Sequence, residues 1–165
     1  MNKDNLISVI EYDIYQKQAK EIASNLLMID DLLSIKQFYY PYFYFKAECK
    51  MPLLYGRKKF TVNSMVDACS GHAATADLFD TKRKIVHQQE LLIKRVKIET
   101  AKIKEKNYVI DHLNRKFKAL GNYGISMKAK GEIYKLFWVL EYTNKSIVID
   151  SITGDIEPLN TIRSA

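Results

Sequence analysis

The sequence predicts an α+β protein: two diverged helix-plus-antiparallel-hairpin repeats packed as one unit, with a long basic central helix. Three observations carry that expectation. Apolar residues recur at helical spacing near the N-terminus and again across the middle of the chain, and aromatic or β-branched runs with a period of two follow each stretch. One turn signature also occurs twice, as "VDACSG" at Val66–Gly71 and "IDSITG" at Ile149–Gly154.

The first repeat occupies about residues 1–80 and opens with a helix expected over residues 5–28. There Leu6, Ile10, Ile14, Ile22 and Leu26 recur at three- and four-residue steps, with Asn2 or Asp4 as its cap. A short helical piece, "DDLLSIKQ", is expected next. "QFYYPYFYFKAECK" then reads as a strand, with Pro41 confining it to a strand start or an edge. Alternation places Tyr40, Tyr42 and Tyr44 on one face and Phe43 and Phe45 on the other. "PLLYGRKK" supplies a connection and "KFTVNSMVDA" the returning strand.

The second repeat, about residues 81–165, starts with some forty residues free of Pro and Gly, Thr81 to Leu120, read as one continuous helix. A heptad through Ile85, Leu92, Glu99, Lys106, Leu113 and Leu120 is apolar at both ends and charged in the middle, which weakens any coiled coil. "GNYG", Gly121–Gly124, ends it. Two strands follow, Glu132–Tyr142 and Ser146–Asp150, joined by "TNK".

The repeated Asp-x-x-Ser/Thr-Gly is read as a strand-ending turn rather than as a pair of active-site signatures. A short carboxylate accepts from amides two residues on, and glycine takes a positive φ without steric cost. Asp67, Gly71, Asp150 and Gly154 are therefore assigned to structural turns. The closing stretch "FWVLEYTNKSIVIDSITGDI" resembles the final hairpin of PepSY-type domains, and "MVDACSGHAA" resembles a more diverged copy. That resemblance implies a small cystatin-like α+β module with a binding or inhibitory role rather than catalysis. It also implies a secreted or membrane setting, from which this chain departs by its long basic segment and by an N-terminus without an unbroken apolar stretch.

Composition narrows the function classes. No run approaches the roughly 20 apolar residues of a membrane span. Two cysteines, Cys49 and Cys69, are too few for a disulfide framework and read as buried thiols of a cytoplasmic protein. The alternative location is peripheral, at the inner membrane face. Cys69 and His72 have Cys-x-x-His spacing, and His87, His112 and Cys49 complete the potential ligands, yet a structural zinc wants two such close pairs. No phosphate loop, dinucleotide fingerprint or nucleophile elbow is present, so no catalytic residue, metal or cofactor is assigned.

Charge is the main functional lead. The net +7 is confined to residues 82–130, where fourteen Lys/Arg face four Asp/Glu; residues 1–81 carry nine against ten and residues 131–165 three against five. The candidates are Lys82, Arg83, Lys84, Lys94, Arg95, Lys97, Lys102, Lys104, Arg115, Lys116 and Lys118. Tyr42 and Tyr44, with Arg57, Lys58 and Lys59 nearby, add aromatic faces able to stack on bases. Sequence alone favours a non-enzymatic binding module whose partner is another protein or a second copy of the chain, the latter through self-association along residues 82–120. The alternative is an accessory nucleic-acid-binding protein using the same basic helix, and an anionic membrane surface is a third partner class.

Overall fold

A computed structural model describes residues 4–27, 31–53, 56–117 and 124–160. The chain is mixed α+β and mostly strand. The elements run β1 (Asp4–Ile10), α1 (Gln16–Leu27), β2 (Leu32–Leu53), β3 (Gly56–Asp67) and β4 (Ala73–Thr75). They continue as β5 (Thr81–His87), a 3-10 turn (Gln88–Glu90), α2 (Ile98–Phe117), β6 (Gly124–Tyr142), β7 (Ser146–Asp150) and β8 (Ile156–Pro158). Neither helix is long and apolar enough to cross a membrane.

Contacts divide these elements into two compact units that do not coincide with the halves of the sequence. Unit one comprises Met1–Pro41, Phe79–Ile93 and Tyr134–Ala165, and unit two comprises Tyr42–Leu78 and Lys94–Ile133. Each unit thus takes one end of β2, one end of β6 and one helix.

In unit one, β1 lies antiparallel to β5 from Asp4↔His87 to Ile10↔Thr81 and meets β6 in parallel at Val9↔Tyr134. β7 returns along β6 from Phe137↔Asp150 to Glu141↔Ser146, and β8 returns along β7. The Tyr142 amide donates to the Lys145 carbonyl at 2.8 Å and closes the "TNK" hairpin expected from sequence. Helix α1 buries Ala19 and Ala23, whose small side chains let it lie close against Trp138, Leu140, Ile147 and Ile149. The Trp138 indole N–H donates to the Ile14 carbonyl at 2.8 Å, which satisfies the one polar atom of that ring.

In unit two the strands are ordered β4-β3-β2-β6. β2 and β3 form a long antiparallel hairpin from Tyr42↔Asp67 to Leu53↔Gly56. Helix α2 packs Ala101, Val109 and Leu113 on the face made by Phe43, Phe45, Ala47, Cys49, Val62 and Val66, with Ile125 and Met127 of β6 alongside. Burying each larger aliphatic or aromatic side chain contributes roughly 1.5–3 kcal/mol.

Several expectations are corrected here. Residues 5–28 are not one helix: Asp4–Ile10 is a strand, because the β-branched run "ISVI" finds a partner in β5, and only Gln16–Leu27 is helical. Asp4 caps nothing and instead faces the His87 imidazole at 2.7 Å, while Asn2 lies outside the described residues. Of the expected short helix "DDLLSIKQ", Leu32 to Gln37 belong instead to the start of β2, where Ser34 and Lys36 both bond Glu141 of β6, and Asp30 lies outside the described residues. Pro41 is buried in the interior of β2 rather than at its start. It sits between Tyr39, whose carbonyl accepts from Leu92, and Tyr42, where pairing with β3 begins.

The continuous helix over 82–120 is also replaced. Lys82, Arg83 and Lys84 belong to β5, opposite Val9, Ser8 and Ile7, so they do not burden a helix N-terminus. Helix α2 begins only at Ile98, with Glu99 in its first turn and Arg115 and Lys116 in its last, the arrangement its dipole favours. Its buried stripe is Ala101, Glu105, Val109 and Leu113 rather than the heptad, of which Glu99 and Lys106 are exposed and Leu113 is buried. Of "GNYG" only Gly124 is described, and it opens β6.

The two Asp-x-x-Ser/Thr-Gly segments adopt the same turn. Asp67 Oδ1 accepts from the Cys69 and Ser70 amides at 2.7 and 3.0 Å, and Asp150 Oδ1 accepts from Ile152 and Thr153 at 2.8 and 3.3 Å. The Gly71 and Gly154 amides donate back to the Asp67 and Asp150 carbonyls at 2.8 and 2.9 Å, with φ of +77° and +78°. Asp150 also holds the Lys135 ammonium. Replacing Asp150 by Ala leaves two turn amides and a largely buried ammonium without their acceptor, and an unfolding free energy lower by about 2–3 kcal/mol is expected in urea titration. Asp77→Ala, exposed and outside both turns, should change it by less than about 0.5 kcal/mol. Equal effects from the two substitutions would show that the turn carries no special stability.

Candidate functional site

The basic excess belongs to one unit. Unit two holds sixteen Lys/Arg against seven Asp/Glu, a net of +9, while unit one holds ten against twelve, a net of −2. Within unit one the charges near a cleft of about 560 Å³ beside Ile35 and Trp138 are already partnered. Lys36 bonds Glu141 at 2.9 Å and Gln37 bonds Glu90 at 2.7 Å. Unit two is different.

Strand alternation sorts the unit-two residues onto two faces. Since Phe43, Phe45, Ala47 and Cys49 pack under α2, the intervening Tyr42, Tyr44, Lys46, Glu48 and Lys50 lie on the opposite face, Glu48 being the one carboxylate of that strand segment there. Val62 and Val66 of β3 face α2, so Arg57 and Lys59 lie opposite. Ile125 and Met127 of β6 likewise send Lys128 and Lys130 to that far face. Tyr42, Tyr44 and Lys46 are half-buried there; Lys50, Arg57, Lys59, Lys128 and Lys130 are exposed. Among the described residues none of these six cations forms an ion pair. Lys58, grouped with its neighbours by sequence, points to the α2 side, 5.7 Å from the Phe117 ring.

The basic residues singled out by sequence are dispersed rather than aligned on one helix. In unit one, Lys82 lies 4.0 Å over the Tyr12 ring, and Lys84 lies 5.3 Å over Tyr39 and donates to the Tyr12 hydroxyl at 3.4 Å. Burial raises the Tyr39 phenol, and the adjacent Lys84 ammonium offsets part of that rise. Arg83 is exposed on the other face of β5. In unit two, Lys94 is paired with Glu132 at 2.6 Å, and the exposed Arg95 gives its backbone amide to Ala68. Lys97 is exposed ahead of α2, while Lys102, Lys104, Arg115 and Lys116 project from α2, and Lys104 folds over Gly71. Lys118 lies outside the described residues. Sequence analysis did not single out Lys46, Lys50, Lys128 and Lys130; the signal for the first two was the two-residue step from Tyr42 and Tyr44.

The potential metal and nucleophile residues do not form a cluster. Cys49 is buried among Ala47, Val62 and Val109, and burial raises its thiol, leaving it protonated and inert. Cys69 is buried in the Asp67 turn, whereas His72 beside it is exposed. His112 stacks with Tyr108 at 6.1 Å on α2, and His87 faces Asp4. Among the described residues no three His, Cys, Asp or Glu side chains converge as a metal site would require.

One polar pair lies inside unit two. Glu105, fully buried on α2, bonds the buried Ser64 hydroxyl through Oε1, while Oε2 has no hydrogen-bond partner. It sits one turn from Ala101 in one apolar cluster and one turn from Val109 in the next, so the pair forms a polar layer between them. Sequence reading passed over it, because a single Glu in a Lys-rich helix looks like a surface residue. Burial pushes its carboxyl up, and the Ser64 hydrogen bond offsets this only in part. No family model matches the chain, and no curated protein or solved structure was found similar to it.

A raised carboxyl fixes the sign of a pH effect. The contribution of protonated Glu105 is complete below the ordinary carboxylate range and is lost as pH rises through its raised value. The unfolding free energy of the wild type should therefore fall with rising pH, by up to about 1.4 kcal/mol per unit between the ordinary carboxylate range and that raised value, and level off above it. Glu105→Gln, which cannot ionise, should remove this component. Parallel pH profiles for the two proteins would mean that Glu105 does not titrate as a buried group.

Proposed function

We propose that this chain is a non-enzymatic nucleic-acid-binding module that takes single strands on the face of unit two opposite α2. One observation carries the reading: six unpaired cations share a face with two half-exposed tyrosines. With one carboxylate, Glu48, among six cations the face keeps a net positive charge, and a polyanion relieves the remaining repulsion by displacing condensed counterions. The tyrosines supply what a polyanion surface alone lacks, a flat aromatic face on which bases of any identity stack. An unpaired strand exposes such bases, whereas a duplex keeps them stacked inside.

The same reading takes the chain as an internal duplication. The succession strand, helix, long strand, returning strand, short strand fits β1 to β4 and again β5 to β8, with the shared turn in the same place each time. Taking Asp67 and Asp150 as equivalent, the hairpin registers match Tyr42 with Phe137 and Lys46 with Glu141. A lysine at that position is therefore not a requirement of the hairpin, which supports a ligand as the reason for it. Self-association along residues 82–120, the other function expected from sequence, loses the continuous helix it needed.

Fluorescence anisotropy with labelled single-stranded 12-mers, from low to physiological salt, tests this directly. Six contacts correspond to a log–log salt slope of about −4 for single strands. Joint replacement of Tyr42 and Tyr44 by Ala should weaken binding by about 1–3 kcal/mol per stacked base. Lys50→Glu with Lys59→Glu should flatten the salt slope, whereas Lys102→Glu with Arg115→Glu on α2 should leave it close to wild type. Equal losses from both pairs, or no binding at low salt, would defeat the proposal.

A further inference from the structure

Unit two carries a second surface, on the α2 side of β3. The Asp67 amide donates to the His72 carbonyl at 2.8 Å, and the Asn63 carbonyl accepts from Ala76 at 2.9 Å. Both bonds cross the same edge of β3, the one that β4 covers from Ser64↔Thr75 to Val66↔Ala73. Backbone groups on an antiparallel strand alternate in direction, so the amides and carbonyls of Thr61 and Lys59 point the same way as those of Asn63 and Asp67. Among the described residues no strand lies there to receive them. β4 ends instead with the Thr75 amide donating to the Tyr108 hydroxyl of α2 at 2.9 Å.

Where a continuing β4 would run, there is a groove of about 370 Å³. Its apolar wall comprises Phe60 and Val62 from β3 with Leu113 and Phe117 from α2. Its rim is basic, with Lys58, His112 and Lys116. On the other face of the same edge stand Arg57 and Lys59. A second copy of this edge would bring lysine against lysine, so the charge itself argues against self-pairing. A nucleic acid has no strand backbone to complete the ladder. What fits is an extended polypeptide with carboxylates.

We infer that the open edge of β3 binds an extended peptide of alternating apolar and acidic residues, added as an antiparallel strand in line with β4. Its amides and carbonyls complete the ladder at Thr61 and Lys59. Its apolar side chains, on the α2 side, fill the groove at Phe60 and Phe117, and its carboxylates on the opposite side meet Arg57 and Lys59. Ladder bonds supply affinity that is independent of sequence, and the alternation supplies selectivity. This surface shares Arg57 and Lys59 with the nucleic-acid face but not its tyrosines, so the tyrosine variants tell failure of one proposal from failure of the other.

The test uses isothermal titration of the full chain with a capped octapeptide alternating valine and glutamate. The control is the same peptide N-methylated at the ladder positions. The unmodified peptide should bind and the methylated one should bind at least tenfold more weakly. Thr61→Pro removes the outward amide without touching the β2 ladder, and it too should weaken binding at least tenfold, while Thr61→Val should not. Lys116→Glu, exposed on the rim, should weaken it several-fold, and Tyr42→Ala with Tyr44→Ala should leave it unchanged. Equal binding of the methylated peptide, or an unaffected Thr61→Pro variant, overturns strand addition in favour of plain charge attraction. No binding up to ~1 mM peptide overturns the site itself. Should Thr61→Pro fail to fold, the methylated peptide still decides the matter on the wild type.

Discussion

Everything in unit two follows from the pleat of one strand. Along β2 the side chains of Phe43, Phe45, Ala47 and Cys49 enter the core beneath α2, and those of Tyr42, Tyr44, Lys46, Glu48 and Lys50 must then stand on the other side. A slip of one residue against β3 would exchange the two sets, placing lysines under the helix and phenylalanines in water. Apolar burial therefore fixes the register, and the register places the cations. The basic face is held by residues that are not basic.

Helix packing obeys a related constraint. Both helices lean on their sheets through alanine at the point of closest approach, Ala19 and Ala23 on α1 and Ala101 on α2. The next stripe position on α2 is Glu105, and the residue it meets, Ser64, lies three places before the turn aspartate. The residue three places before the other turn aspartate is Ile147, buried in an apolar cluster. The same architecture thus accommodates either a hydrocarbon contact or a carboxyl–hydroxyl pair. The pair is the more costly choice, because one carboxyl oxygen is buried with no hydrogen-bond partner among the described residues.

What could be read from sequence was what local chemistry decides. The Asp67 and Asp150 turns, the "TNK" hairpin, the returning strand β3 and the Tyr/Phe alternation of β2 depend on residues close to one another in the chain, and all were legible. β1 and β5 were not, because each is a strand only by virtue of the other, from Asp4↔His87 to Ile10↔Thr81. The apolar spacing of Leu6, Ile10 and Ile14 mimicked a helix, and the absence of Pro and Gly after Thr81 gave no sign that a strand preceded α2. The candidate site divides in the same way. Tyr42 and Tyr44 were visible from period-two spacing, whereas Lys128 and Lys130 join them only through the long-range pairing of β6 with β2.

The interleaving of the two units bears on the order in which they can form during synthesis. Unit two is complete once residue 133 has been made, and its hairpin β2–β3 and helix α2 lie within a stretch of about ninety residues. Unit one needs β6 beyond Tyr134 and all of β7, so α1 lacks Trp138, Leu140, Ile147 and Ile149 until those residues have been made. Vectorial synthesis therefore favours the basic unit folding first, while the N-terminal strand and helix wait, unburied, for the C-terminal hairpin. In that interval the nascent chain presents α1's apolar stripe, Ala19, Ile22 and Leu27, to solvent. Exposure to aggregation is thus greatest in the interval between the synthesis of α1 and that of β7.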